Sequence, residues 1–422
     1  MWPETSPVAN AGGAAAGRRR FGRGLAAPFR FASFRYLVLG NLFSSGGMWV
    51  QQVAVNWLVY DLTSSAAVLA LVNGFRTIAW AVTAPVTGML VDRFDRRGLL
   101  LLTQVGMAVA ALLFALDVAL GTVAVWHIMA FSFLVGTGNA FNNTTRRTIM
   151  PNLVPLSSIV QANALANASM NITRAIGPAV GGVLIQAVGM VFNFLLQGGC
   201  YLASLLCTLP IRAPSDGRAD RGRGSPLKSL AEGYRYIARD RQVRSVLILS
   251  LVGTMFVFPI QPLIPVFARD IFHQGADGYG VLLMAYGVGS LIGTLLLASA
   301  AETERKAPLL LALMLLAVGS PILFAWTGSF ALALLVLALQ GASQMALFSL
   351  IQGMMQLLVP NALLGRVMSV DNLNSAMIPL GGILGGILAD AVGAPIAVTV
   401  LCGAGLATVV AVFARLPAVR QL

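Results

Sequence analysis

Apolar residues run along this chain in blocks of about twenty, broken by short polar or basic stretches, without strict period-2 alternation inside the blocks. A helix crossing a bilayer core needs about that length, whereas barrel strands are about half as long and alternate. The pattern predicts spans near 36–59, 66–90, 99–120, 123–145, 159–187, 188–210, 245–267, 278–300, 307–326, 329–353, 366–390 and 393–414. Composition agrees: of 422 residues 57% are hydrophobic and only 10% charged, against about a quarter charged in a soluble domain. The expected fold class is an all-α membrane protein with twelve transmembrane helices.

Charge then sets an orientation. A net charge of +13 would ordinarily suggest a nucleic-acid partner. Twelve spans put both termini on one side, and 25 of the 28 Lys and Arg residues fall on that side, leaving Arg76, Arg174 and Arg269. This is the asymmetry of the positive-inside rule, so the termini are expected in the cytoplasm of a bacterial inner-membrane protein. The basic balance reports topology and contact with the lipid bilayer, and no nucleic acid is expected. Cys200, Cys207 and Cys402 fall inside apolar blocks and read as small hydrophobes, with neither disulfide nor metal expected.

The chain also repeats itself. Residues 154–189 line up with 359–393 at an offset of 205 falling to 204, and "YD" at 60–61 matches "RD" at 269–270. An even number of spans per repeat makes the halves parallel, related by an axis along the membrane normal. The expected domains are a basic disordered tail (1–35), a six-helix bundle (36–210), a cytoplasmic linker (211–243), a second six-helix bundle (244–415) and a short tail (416–422). From Leu227 the linker turns amphipathic, which suits a helix lying on the leaflet or packing on the bundle.

Two motifs stand out. "GMLVDRFDRRG" places Gly88, Asp92, Arg93, Arg96 and Arg97 between the second and third spans, and "GPAVGG" places Gly177, Pro178, Gly181 and Gly182 in the fifth. The first resembles the loop motif of the major facilitator superfamily, with Asp95 where that pattern has a glycine. The second is similar to the family's antiporter motif, with Thr173 at an earlier glycine position. Together with "VPLSSIVQANAL" and "LAEGYRYIARDRQVRSVLIL", they resemble the branch holding macrolide-efflux proteins and enterobactin-type siderophore exporters. The resemblance covers nearly the whole chain after residue 35. It implies two six-helix halves rocking about a central site, a small-molecule substrate, a proton as coupling ion and a monomer.

Physical reading of the motifs leaves alternatives open. Asp92 is expected either to bridge to a basic neighbour or to the start of the eleventh span near Gly365 and Arg366, or to stand as a solvated charge. Gly177, Gly181 and Gly182 permit close helix approach and Pro178 a bend, so the segment reads as a hinge, as tight packing, or as both. On the fifth span Asn163, Asn167, Asn171 and Arg174 share a stripe reaching mid-membrane. A central arginine costs about 2.5–3.5 kcal/mol there, so it needs water or partners. It serves either a buried pair or substrate and ion coupling. Further stripes carry Asn41, Gln52 and Asn56 in the first span, Gln340 and Gln344 in the tenth, and Asp371 and Asn374 in the eleventh; Arg76 is the other buried cation. Each reads as cavity lining or as an interhelical hydrogen bond.

Asp371 is the candidate proton-coupling group, one to two turns inside its span, with a structural role as the alternative. The two histidines, His127 and His273, are apart, and no phosphate-binding loop or metal-ligand pattern is present, so an enzyme with a metal or cofactor is not expected. The reading is a secondary transporter exporting a drug-like or siderophore-like compound, the alternative being a lysophospholipid flippase or nutrient importer of the same superfamily.

Overall fold

In the computed structural model, the described residues are 27–155, 158–211, 234–257, 260–299, 306–360, 363, 366–367, 370–371 and 377–415. Asn374, Gly365, residues 1–26 and 416–422 and most of the linker lie outside them, as does the side chain of Asp92. Residues 27–35, expected as disordered tail, are instead a 3-10 turn, Ala27–Arg30, and the start of the first long helix. Among the described residues every regular element is helical.

The first six long helices are α1 (Ala32–Thr63), α2 (Ala66–Arg93), α3 (Arg96–Leu120), α4 (Val125–Ile149), α5 (Ile159–Val188) and α6 (Met190–Thr208). After the linker come α7 (Arg241–Phe256), α8 (Ile260–Val266), α9 (Ala276–Ser299), α10 (Lys306–Ala325), α11 (Phe330–Leu358), α12 (Ile378–Val392) and α13 (Ala394–Arg415). Successive helices run in opposite directions, α7 and α8 counting as one. One end of the bundle therefore holds the start of α1 and the end of α13, here called the terminal end; the other is the far end.

Local chemistry sets the boundaries. Ser65 caps α2 through Val68 N, and Asp240 caps α7 through Gln242 N and Val243 N. Asp95, the residue in place of a motif glycine, caps α3 by accepting from Gly98 N at 2.7 Å. Its φ of −60° shows that no glycine is needed at this turn. Gly189 and Gly393, 204 residues apart, end α5 and α12 with φ of 88° and 87°. Glycine is the residue that enters that region without steric cost. Pro265 in α8 is followed by a π-turn, Phe267–Ile271, that brings Arg269 and Asp270 to the far end.

Eight helical stretches are long and apolar enough to cross a membrane by length and composition. Of the twelve blocks read from the sequence, those corresponding to α1, α4, α5 and the shorter α12 are outside that set. α1, α4 and α5 each carry asparagine, glutamine or serine within the apolar block, and these polar residues lower its hydropathy.

Packing follows the order of the chain. α1 lies against α5 and α6, α2 against α4, and α3 against α4 and α6. Later in the chain, α9 lies against α11, α10 against α11 and α13, and α12 against α13. Two further pairs, α5 with α9 and α2 with α12, join the early helices to the late ones.

Candidate functional site

The far end is closed by small residues and a few polar contacts. A Cβ at Gly182 of α5 would strike the carbonyl oxygen of Ala276 in α9, and one at Gly386 of α12 would strike that of Ala66 in α2. These glycines are 204 residues apart, the repeat offset. Beside Gly386, the Asp390 carboxylate accepts from Ala66 N at 2.7 Å, Ala67 N at 3.1 Å and Ser65 Oγ at 2.5 Å. It thereby satisfies the open N–H groups that begin α2. The repeat places Gln186 where Asp390 stands in the second half, and Gln186 lies beside Gly275 at the start of α9.

Across the axis, Tyr60 donates its hydroxyl hydrogen bond to Asp270. The Arg269 guanidinium sits 5.6 Å from the Tyr60 ring centre, donates to Tyr60 O at 3.3 Å, and lies 3.6 Å from Asp61. Tyr60 and Asp61 match Arg269 and Asp270 in the repeat, so equivalent positions meet each other.

Below this closure runs a connected polar chain. Asn56 Nδ2 donates to Tyr279 Oη at 3.0 Å, and Asn73 Nδ2 donates to Asn56 Oδ1 at 2.9 Å. Arg76 donates to Asn73 Oδ1 at 3.3 Å and to Gln52 Oε1 at 2.7 Å. Tyr279 belongs to α9 and the others to α1 and α2, so the chain ties a late helix to two early ones. One turn further along α1, the Arg174 guanidinium lies 5.3 Å from the Trp49 ring centre and 3.6 Å from Met345 Sδ of α11. Tyr286 of α9 donates to Gln344 Oε1 at 2.7 Å.

Arg76 and Arg174 are both half-buried, and neither has a carboxylate within ion-pair distance among the described residues. Arg146 differs. Although it counts among the terminal-end basic residues, it is 6% exposed and donates to Asn142 Oδ1, Leu37 O and Ser204 Oγ. It is locked between α1, α4 and α6.

Exposure changes along α5. Asn163 and Asn167 at the terminal end are exposed, Asn171 and Arg174 are half-buried, and Gly177, Gly181 and Gly182 are buried. The opposite face exposes Ile172, Ile176, Val180 and Val183, as a lipid-facing surface does. Gly177 faces Trp49 and Gly181 faces Val50, so two of the motif glycines seat α1 and the third seats α9; Pro178 is buried between them.

The other sequence-flagged residues fall into place around this axis. Asn41 is buried and donates to Ser169 Oγ at 2.8 Å, linking α1 to α5. Gln340 and Gln344 are buried in α11, and the Gln340 amide and Gln344 Nε2 have no partner among the described residues. Asp371 is buried and accepts from Ser250 Oγ of α7 at 2.8 Å. In the loop motif, Arg96 donates to Thr148 O at 3.2 Å and Arg97 to Leu209 O, at the C-terminal ends of α4 and α6. Gly88 has nothing within 4 Å of where a Cβ would stand, and Arg93 is exposed. Sequence reasoning missed Trp49, Tyr60, Tyr279, Tyr286 and Asp390. Only the repeat match at 60–61 and 269–270 carried a signal for any of them.

The profile described as transmembrane secretion effector matches residues 24–421. The staphyloferrin A transporter of Staphylococcus aureus is 28% identical over 273 residues, covering 63% of this chain and 65% of that one. The multidrug efflux pump Tap of Mycolicibacterium fortuitum is 28% identical over 374 residues, covering 85% and 89%. The enterobactin exporter EntS of Shigella boydii serotype 4 is 28% identical over 383 residues, covering 89% of each. Among solved structures, a bacterial homologue of the human lysosomal transporter Spinster, inward-facing and unoccupied, superimposes with a TM-score of 0.70 at 15% identity. That likeness covers 92% of this chain and 96% of that one.

Proposed function

Because the chain belongs to the transmembrane secretion effector family of major facilitator transporters, we propose that it exports a drug-like or siderophore-like small molecule by alternating access. The protein is a multi-pass membrane transporter and not an enzyme. In the proposed arrangement twelve spans form two six-helix halves, 36–210 and 244–415, joined by the linker. Both termini face the cytoplasm of a bacterial inner membrane, as the basic asymmetry favours. The unit is a monomer, and uptake of protons drives export.

The observation that carries this reading is the exposure gradient along α5. An accessible asparagine stripe enters from the terminal end, reaches Arg174 near mid-helix, and stops at glycines packed against α1 and α9. A site reached from one side and shut on the other is what alternating access requires. Asp371, buried and bonded to Ser250 of α7, is the proposed coupling carboxylate.

The test is efflux from cells lacking their own exporters, with and without this gene and with and without a protonophore. Protonophore-sensitive loss of at least one drug or siderophore is expected. Unchanged accumulation across the panel would sink the exporter reading, and efflux that follows ATP instead of the proton gradient would sink the coupling. Asp371→Asn is expected to abolish gradient-driven export; full retention would remove that residue from the coupling step.

A further inference from the structure

We infer that the central site takes an organic anion, with a carboxylate on the substrate serving as counter-ion to Arg76 and Arg174. This rests on the exporter reading above and narrows it to a substrate class.

The argument begins with what the protein does not supply. Among the described residues, the acidic ones other than Asp371 lie within the first or last few residues of a helix or just outside one. Asp371 already accepts from Ser250 Oγ. The ion pairs among described residues are His127 with Asp117 and Arg269 with Asp61, all toward the far end. Two guanidiniums thus stand at mid-helix depth without a carboxylate partner among the described residues, and a charge at that depth draws an anion.

The placement is specific. Gln52 and Trp49 are three residues apart on α1, so Arg76 and Arg174 meet that helix at positions one turn apart on the same side. Gln52 and Asn73 hold Arg76 through two of its five N–H donors, and the rest stay available in the planar fork that matches a carboxylate. Arg174 spends one N–H on a thioether, a weak acceptor, and keeps the others. Arg146 shows the contrasting arrangement: buried, with neutral acceptors from three helices on its guanidinium. Arg76 and Arg174 are both more exposed and less fully bonded.

The indole of Trp49 beneath Arg174 adds apolar surface beside that cation. A hydrophobic or aromatic acid fits such a site better than a small inorganic anion does.

The experiment uses the purified full-length protein in nanodiscs and matched acid–amide pairs as probes: salicylate with salicylamide, and nalidixate with its carboxamide. Citrate, and ethidium as a cation, complete the set. Binding is read by equilibrium dialysis and export by efflux from expressing cells. At least one carboxylate is expected to bind saturably and be exported while its amide binds at least ten-fold more weakly. Arg76→Gln and Arg174→Gln should each weaken it ten-fold or more, with Arg174→Lys keeping part of the affinity. Size-exclusion profiles identify variants that fail to fold, and the wild-type acid–amide comparison stands without them.

Nanodiscs of neutral and of anionic lipid separate a substrate carboxylate from a lipid headgroup. Competition by anionic lipid alone, with no carboxylate bound, would overturn the substrate assignment. Export of ethidium or of the amides, unaffected by either Arg→Gln change, would overturn the anion inference and leave the exporter reading standing. No export of any compound would overturn the exporter reading itself.

Discussion

Arg146 of α4 and Arg174 of α5 are the same residue type on consecutive helices, and their surroundings separate them. Arg146 holds α1, α4 and α6 together through hydrogen bonds from a buried charge. Bonds of that kind contribute about 1.5–3 kcal/mol each when the partner is charged, and they are not additive. Arg146→Ala is therefore expected to lower stability by about 2–4 kcal/mol, read as an earlier midpoint in detergent unfolding. Arg174→Gln should leave that midpoint nearly unchanged, because its partners are a ring face and a thioether. Equal midpoints for Arg146→Ala and wild type would show that the bonds contribute nothing. The sequence pointed to Arg76 and Arg174 because each interrupts an apolar block, whereas Arg146 sits beside Arg147 at a helix end and reads as a loop charge. Whether such a side chain turns toward water or toward Ser204 is decided by how α4 rotates against α6, and no local pattern encodes that rotation.

Helices make contact through glycine, and the repeat tells which glycines matter. Gly182 and Gly386 share the 204-residue offset, and at each an added Cβ meets a backbone carbonyl across an early–late helix pair. A carbonyl cannot move aside as a flexible side chain can, so Gly182→Val and Gly386→Val should force the far ends of the paired helices apart. On the alternating-access reading this favours the opposite state, measured as faster labelling of a cysteine placed at Ser64. Gly88→Val meets open space in this state and should leave far-end labelling the same or slower, since only closure of the terminal end would crowd it. Faster labelling in Gly88→Val, or none in the first two, would contradict the assignment of ends. The glycines, helix boundaries and internal repeat were readable because each has a local signature. The cap at Asp95 was readable only as an exception to a motif, and its geometry shows why the exception is tolerated: the carboxylate does for α3 what a glycine turn would not.

At the scale of the molecule, two polar closures guard the far end, and the sequence showed neither as a contact. Tyr60, Asp61, Arg269 and Asp270 were visible as a repeat match, yet a match 209 residues apart becomes a contact only when two helix ends meet on one axis. The second closure breaks the symmetry of the repeat. Asp390 brings a full negative charge to the start of α2, while Gln186 brings a neutral amide to the start of α9. A carboxylate on a helix N-terminus contributes about 1 kcal/mol, close to a five-fold change in a two-state ratio. Asp390→Asn should therefore raise far-end labelling about five-fold, and high salt should add little in that variant, since the charge it would screen has gone. Gln186→Glu tests the same physics in reverse, because a new charge at the α9 start should strengthen closure and slow labelling. Asp277 in the first turn of α9 tempers that gain, lying close enough to Gly275 for the two carboxylates to repel. Combining Gln186→Glu with Asp277→Asn should uncover the full effect, slowing labelling beyond either single change. If the pair were no slower than Asp277→Asn alone, helix-end charge would not be what holds the far end shut.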